Sequence, residues 1–329
     1  MADPALIGID EIRLAARTLE GVALRTPLLP FGPAERREYL KAESLQPIGA
    51  FKIRGAYFAV AALDPGVRAR GVITYSSGNH AQGVARAARL FGIPAVIVMP
   101  SDAPRVKQDR VAADGAEVVI VGPASEERRL RAEAIAAERG LSIIPPFDDD
   151  RIIAGQGTCG LEIAEDLPDL AAVLVPVGGG GLAAGVATAV KALRPGARVI
   201  GVESELAADA RDSFRAGRLV AWPAEQVGRT IADGTRTQSI GARNLAHLLA
   251  HLDDIVTVRE DEIVAAVQMA AEEARLVVEP SGALSVAALR FRKAEAGLSG
   301  LAGPLVAVVS GGNIDPERYR QLLAGGPAD

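Results

Sequence analysis

The chain has 329 residues, enough for about two domains or one large α/β unit, and its 49% hydrophobic content supplies a sizeable core and excludes disorder. A net charge of −5 argues against nucleic acid or an anionic membrane as the main partner, and no apolar run approaches the roughly 20 residues that span a bilayer. The single Cys159 excludes an intrachain disulfide and fits a reducing compartment; with no basic-then-apolar leader, a cytoplasmic protein is expected.

Short apolar runs recur along the chain, each followed by a longer stretch of helical character. VITY (72–75) precedes a helix-like 79–92, and AVIVMP (95–100) precedes roughly 103–114. EVVIV (117–121) precedes 125–140, where Ser125 is placed to cap a strongly charged helix. SII (142–144), AVLVPV (172–177), RVIGVE (198–203), DIVTV (254–258) and PLVAVVS (304–310) follow. Continuous rather than alternating Val/Ile runs indicate strands buried on both faces, hence mostly parallel sheet in a doubly wound α/β fold. Two Pro/Gly-containing or Pro-rich junctions, LDPGVRARG (63–71) and PPFDDD (145–150), bracket three of these strand–helix units. They predict a smaller domain, 65–147, inserted into a larger one made of 1–64 and 148–329. A ligand is expected in the cleft between them, near the carboxyl ends of the strands.

The most specific local signal is Gly178, Gly179, Gly180 and Gly181, between the strand run at 171–177 and a helix-like 182–194. A tight turn needs one or two glycines. Four at a helix start let consecutive N–H groups converge on one point, reinforced by the positive end of the helix, and phosphate is the usual guest.

Four further segments combine glycine with reactive side chains. GAFKIRGA (49–56) sets Lys52 between Phe51 and Ile53; a lysine removed from water titrates lower and becomes a nucleophile able to form a Schiff base with an aldehyde. SSGNHAQG (76–83) offers Ser76, Ser77, Asn79 and His80 at a helix start, where they either cap the helix or bind a ligand. IADG (231–234) is too short to judge alone. SGGN (310–313) follows the last strand run and is expected to place Ser310 at a sheet edge facing the cleft.

With Lys52 in GAFKIRGA, SSGNH, AGQGT (154–158), GGGG after a strand and a terminal SGGN, the chain resembles the fold type II pyridoxal-phosphate enzymes (tryptophan synthase β-like) from 25 to 313. Within them it is most similar to the threonine/serine dehydratases and serine racemase. The resemblance implies that Lys52 forms the Schiff base with pyridoxal phosphate, that Gly178 to Gly181 hold the phosphate, and that Asn79 bonds the ring hydroxyl. Gly234 would line the cofactor's edge beside Phe51, and Ser310 would bond the pyridine nitrogen as a neutral partner, which favours elimination of a β-hydroxyl. Ser76, Ser77, Asn79 and His80 would receive the substrate carboxylate. Ala50 departs from the family, which usually has Ser there; a change of local packing is expected, with the chemistry intact.

The implied reaction is β-elimination on a small hydroxy amino acid, L-threonine or L-serine giving a 2-oxo acid and ammonia. Ser77 would also permit two-base racemisation, as in serine racemase, and Arg128 matches an arginine near the racemase substrate site. If it faces the cleft, a second carboxylate, as in threo-3-hydroxyaspartate, finds a partner there; otherwise it is a surface helix charge. The resemblance further implies a homodimer, and an Mg²⁺ site (or Ca²⁺/Mn²⁺) from Glu203, the Ala207 carbonyl and Asp209. The chain ends soon after SGGN, so the regulatory domain of allosteric threonine dehydratases is not expected. GGGGLAAG (178–185) with Glu203 also fits, loosely, a nicotinamide-dinucleotide oxidoreductase, which would leave Lys52, SSGNH and SGGN unexplained.

Overall fold

The structure, a computed structural model, describes residues 5–76, 78–101, 103, 105–122 and 125–325, without the side chains of Val106 and Ser125. Its strands are β1 (Leu28–Pro30), β2 (Glu38–Ala42), β3 (Val72–Tyr75), β4 (Ala95–Pro100), β5 (Glu117–Val121), β6 (Ser142–Ile143), β7 (Ala172–Pro176), β8 (Arg198–Ser204), β9 (Asp254–Val258) and β10 (Leu305–Val309). They make two sheets, ordered β1-β2-β10-β7-β8-β9 and β5-β4-β3-β6. Only β1–β2 is antiparallel. The α/β architecture with mostly parallel sheets is the one the apolar runs predict.

Every residue of β7 and of β10 is buried, as unbroken apolar runs inside a parallel sheet require. EVVIV departs from that rule: β5 is an edge strand, with Glu117 and Ile120 exposed. The expected helices appear at Asn79–Phe91, Arg105–Ala113, Ser125–Arg139 and Gly181–Leu193. The cap expected of Ser125 involves a side chain outside the described ones.

The smaller sheet's core is not closed by its own segment alone. Ala56, Ala59 and Val60 of the helix Lys52–Ala61, together with Ile152, pack with Val72, Ile97 and Met99. The helix Asp150–Asp166 is the common support of the molecule. A Cβ on its Gly155 would sit 2.6 Å from Gly55 Cα, and one on Gly185, in the helix Gly181–Leu193, would sit 2.3 Å from Ile153 O. The AGQGT glycines thus bring the lysine helix and the tetraglycine helix against one shared rod at backbone distance.

Candidate active site

Lys52 is the first residue of its helix, and Phe51 N–H is held by Ser310 O at 3.0 Å, so the lysine turn is tied to the end of β10. The Lys52 amine donates to Pro146 O at 2.7 Å and lies 5.2 Å from the centre of the Phe51 ring. Burial lowers its pKa to about 8. The neutral, nucleophilic amine is therefore a far larger fraction at physiological pH than in an exposed lysine, though still the minority.

The tetraglycine loop is shaped by what grips its carbonyls. Gly179 O accepts from Asn244 Nδ2 at 2.6 Å and from Gly241 N–H at 3.2 Å, and Gly180 O accepts the first helical bond from Ala184 N–H at 2.8 Å. Across a trans peptide the next N–H points the opposite way. The N–H groups of Gly180 and Gly181 therefore face away from those acceptors, at the start of a helix. Side chains are excluded here: Gly180 has φ +94°, and a Cβ on Gly179 would lie 2.2 Å from the Phe147 ring. This is a cradle lined by backbone.

Asn79 begins the helix Asn79–Phe91, and its amide is engaged at both ends. Nδ2 donates to Glu279 Oε1 at 2.7 Å, and Oδ1 accepts from Asn313 Nδ2 at 2.8 Å. Arg110 Nη1 donates to Asn313 Oδ1 at 2.8 Å, and Lys107 pairs with Asp233 at 3.0 Å. These contacts join residues following β3 and β4 to segments attached to the larger sheet. Gly234 N–H donates to Ser281 Oγ at 2.7 Å, while its neighbour Thr235 comes within 3.0 Å of a Cβ built on Gly178. Ser310 is buried, but not at a sheet edge: β10 lies between β2 and β7, and Ser310 stands at the carboxyl end of a central strand. Ala50 is fully buried and bridges Gly311.

Residues 19–311 match a family described as pyridoxal-phosphate dependent enzyme. The chain is 42% identical over 288 residues to the L-threo-3-hydroxyaspartate ammonia-lyase of Saccharomyces cerevisiae, covering 87% of this chain and 86% of that one. It is 38% identical to the serine racemase of Schizosaccharomyces pombe, covering 96% and 97%. Among solved structures it resembles a threonine deaminase from T.th. with a TM-score of 0.87 at 43% identity, covering 94% and 99%. The chain belongs to the family of pyridoxal-phosphate dependent enzymes. The dinucleotide interpretation of the glycine loop is set aside with that membership.

The site of this pyridoxal-phosphate dependent enzyme fits its cofactor on its own observations, since a nucleophilic amine, a side-chain-free cradle at a helix start and a buried hydroxyl at the end of β10 are what aldehyde, phosphate and ring nitrogen need. The His80 ring turns into the core. Its Nε2 contacts Ile144 O at 3.1 Å inside the core, and burial, with the Lys52 charge nearby, lowers its pKa to about 3. The ring is a neutral structural group, which leaves the His80 backbone N–H at the helix start. Ser76 Oγ accepts from Gly78 N–H at 3.3 Å and shapes that turn. Ser77 lies outside the described residues. Arg128 is half-buried on the helix Ser125–Arg139; the charges of neighbouring Glu126, Arg129 and Glu133 act on Tyr75, so this end of the helix stands by the end of β3.

Glu203, near the end of β8, and Asp209, at the start of the helix Asp209–Ala216, are both buried. Burial and then Asp209's charge push the Glu203 carboxyl well above the usual range, although Ala210 and Arg211 N–H groups donate to it at 3.1 and 2.7 Å. Burial likewise raises Asp209 to about 7, and neither of its oxygens makes a hydrogen bond of ordinary geometry. Two buried acids next to the buried Ala207 are the oxygen donors a hard divalent cation takes, although Ile240 N–H and the Thr237 hydroxyl also draw on Asp209.

Three participants carry no clear sequence signal. Pro146 acts through its carbonyl and Phe147 through its ring, in a stretch that reads only as a junction. Glu279, before Pro280 at a helix start, reads as an ordinary cap.

Proposed function

We propose that the chain is an ammonia-lyase that converts L-threonine or L-serine to the 2-oxo acid and ammonia by β-elimination. The observation that carries this is the Lys52 amine, held at 2.7 Å by Pro146 O and lowered to about 8 by burial, in an enzyme whose backbone cradle suits a phosphate. The hydroxyaspartate ammonia-lyase and threonine deaminase similarities support it.

When bound, pyridoxal phosphate supplies an aldehyde for covalent attachment and a ring that accepts the electrons released at the substrate Cα. Lys52 would be the covalent anchor, and its free Nζ would be the base that takes the substrate Cα proton. Gly178 to Gly181 hold the phosphate, Asn79 the ring hydroxyl and Ser310 the ring nitrogen, with Gly234 and Phe51 along the edges. Ser76, Ser77, Asn79 and His80, the last through its backbone N–H at the helix start, receive the substrate carboxylate. Arg128 takes a second carboxylate when the substrate is threo-3-hydroxyaspartate. Ser77 on the face opposite Lys52 would add racemisation, an alternative supported by the serine racemase similarity.

Around this site we keep the division into 1–64 with 148–329 and an inserted 65–147, and a cytoplasmic homodimer carrying Mg²⁺ (or Ca²⁺/Mn²⁺) at Glu203, Ala207 and Asp209. No helix among the described residues is long and apolar enough to cross a membrane. The decisive experiment incubates the holoenzyme with L-threonine, L-serine, D-serine and threo-3-hydroxyaspartate, following 2-oxo acid and enantiomer composition. At least one should yield 2-oxo acid, and none should with Lys52→Ala. Absence of 2-oxo acid from all four would overturn the reaction assignment.

A further inference from the structure

We propose that Glu279 is a positioning residue that fixes the Asn79 carboxamide in the single orientation from which it can serve the cofactor ring, and so couples the two ring contacts of the site. This rests on the cofactor role given to Asn79 above and deepens it.

An Asn amide has two donors and one acceptor, and a free one can turn over, exchanging them. In this protein the Oδ1 end is filled by Asn313 Nδ2 and one Nδ2 hydrogen by Glu279 Oε1. Asn313 is itself fixed, since its Nδ2 also donates to Ile48 O at 2.7 Å and its Oδ1 accepts from Arg110. With both of these ends assigned, the remaining Nδ2 hydrogen is the group left to donate to a ring oxygen. Glu279 supplies the only contact at the Nδ2 end among the described residues, so without it the amide is held from its Oδ1 end alone and the remaining Nδ2 hydrogen is no longer aimed.

The site is built for that carboxyl. Glu279 is 5% exposed, and a Cβ on Gly311 would lie 2.3 Å from Oε1, so only a glycine beside Ser310 leaves it room. Glu279 N–H also donates to Gly311 O at 3.1 Å. One residue thus grips the turn that carries Ser310 through its backbone and Asn79 through its side chain, joining the ring nitrogen's proposed partner to the hydroxyl's. Burial, with Asp233's charge adding to it, lifts the carboxyl to about 8 against the pull of the Asn79 bond and of Lys107. At neutral pH the group is mostly an uncharged acceptor. Gln should therefore replace it and Ala should not.

The test uses purified holoenzyme stripped and reloaded with pyridoxal phosphate, measuring its dissociation constant and the visible absorption band, with the melting temperature of the cofactor-free protein as the check on folding. Glu279→Ala should loosen the cofactor about tenfold, the loss of one oriented hydrogen bond, and shift the band. Glu279→Gln should stay within about twofold of the parent, the margin of one preserved neutral bond. Asn79→Ala should loosen the cofactor comparably, and the double variant Asn79→Ala/Glu279→Ala should be no worse than the weaker single one, because the proposed effect of the Glu279 side chain on the cofactor runs through Asn79. Multiplying effects in the double variant, parent-like binding in Glu279→Ala, or equal damage from Ala and Gln each overturn the proposal. Should Glu279→Ala not fold, Glu279→Asp replaces it: its drawn-back carboxyl must bind cofactor more weakly than Glu279→Gln, and equal binding overturns the proposal. None of these readouts uses turnover, so failure of the lyase assignment is seen separately.

Discussion

Arg54 grips Glu43 in a bidentate ion pair, Nε to Oε2 at 2.7 Å and Nη2 to Oε1 at 2.8 Å, with both side chains essentially shut off from solvent. Glu162 and Lys41 complete the cluster, with Arg54 Nη1 to Glu162 Oε1 at 2.6 Å and Lys41 Nζ to Glu162 Oε2 at 2.5 Å. Two cations balance two anions, two residues along the helix from Lys52. Removing one partner strands a buried charge, which costs far more than a surface pair contributes. Arg54→Met should destabilise by about 3–5 kcal/mol, read as a lowered denaturant midpoint. Burial alone would raise the Glu43 pKa; Arg54's charge and hydrogen bonds overcome it and hold the carboxyl below its usual value. That stabilisation is present above the unfolded pKa and lost as pH falls through the folded one. The variant should therefore lose less further stability on acidification than the parent; equal acid sensitivity would sink the attribution.

With Lys52 as the proposed anchor, cofactor loading should follow the state of its amine. Only the neutral form attacks an aldehyde, and burial has brought its pKa from the ordinary 10.5 to about 8. The rate of reloading stripped enzyme, followed by the visible band, should rise roughly tenfold per pH unit below that pKa and level off above it. A rate still climbing well above pH 8 would mean the amine is not held out of water. Lys52→Ala should form no covalent band and lose at least about 10²-fold in turnover, the usual worth of a general base.

Phe147 tests the cradle from outside. A Cβ on Gly179 meets its ring at 2.2 Å, a distance no packing tolerates. Gly179→Ala should cost about 1–3 kcal/mol by overpacking and weaken phosphate binding by displacing the loop. Adding Phe147→Ala should restore part of both losses. If the second substitution makes matters worse, the loop is limited by something other than this ring.

Much of this architecture was legible beforehand, and the exceptions share one physical cause. Strands β7 and β10 announce themselves because parallel strands covered on both faces leave no room for polar side chains. β2, reading EYLKA, gave no such signal, yet it pairs parallel to β10 in the same sheet. Its charges are neutralised by residues far along the chain: Lys41 by Glu162, and Glu38 by Lys293. Pairing at that sequence distance is invisible until the chain folds. The site divides the same way. In the proposed site Lys52 and the four glycines carry their chemistry in residue type, whereas Pro146 contributes its backbone carbonyl and the role proposed for Glu279 depends on Asn79 being folded against it. The burial of the His80 ring could not be read from the sequence either, because its partner, Ile144 O, lies 64 residues away.

The acids at the carboxyl end of β8 and the start of the next helix yield the last expectation. Glu203 spends its oxygens on two N–H groups, while Asp209 is fully buried with oxygens that find no partner of ordinary geometry. Leaving a buried carboxylate so is costly unless a cation completes it. A divalent ion binding only the folded state should add about 2.7 kcal/mol when present at a hundred times its dissociation constant. The melting temperature of the holoenzyme should then drop by several degrees in chelator and recover when Mg²⁺, Ca²⁺ or Mn²⁺ is restored. In Asp209→Asn the ion-dependent increment should vanish, and chelator should have no further effect. Because Lys52 and the cradle lie on other elements, the stripped variant should still take up pyridoxal phosphate. A melting temperature indifferent to both chelator and added ion would show that the two carboxyls are simply protonated where they lie.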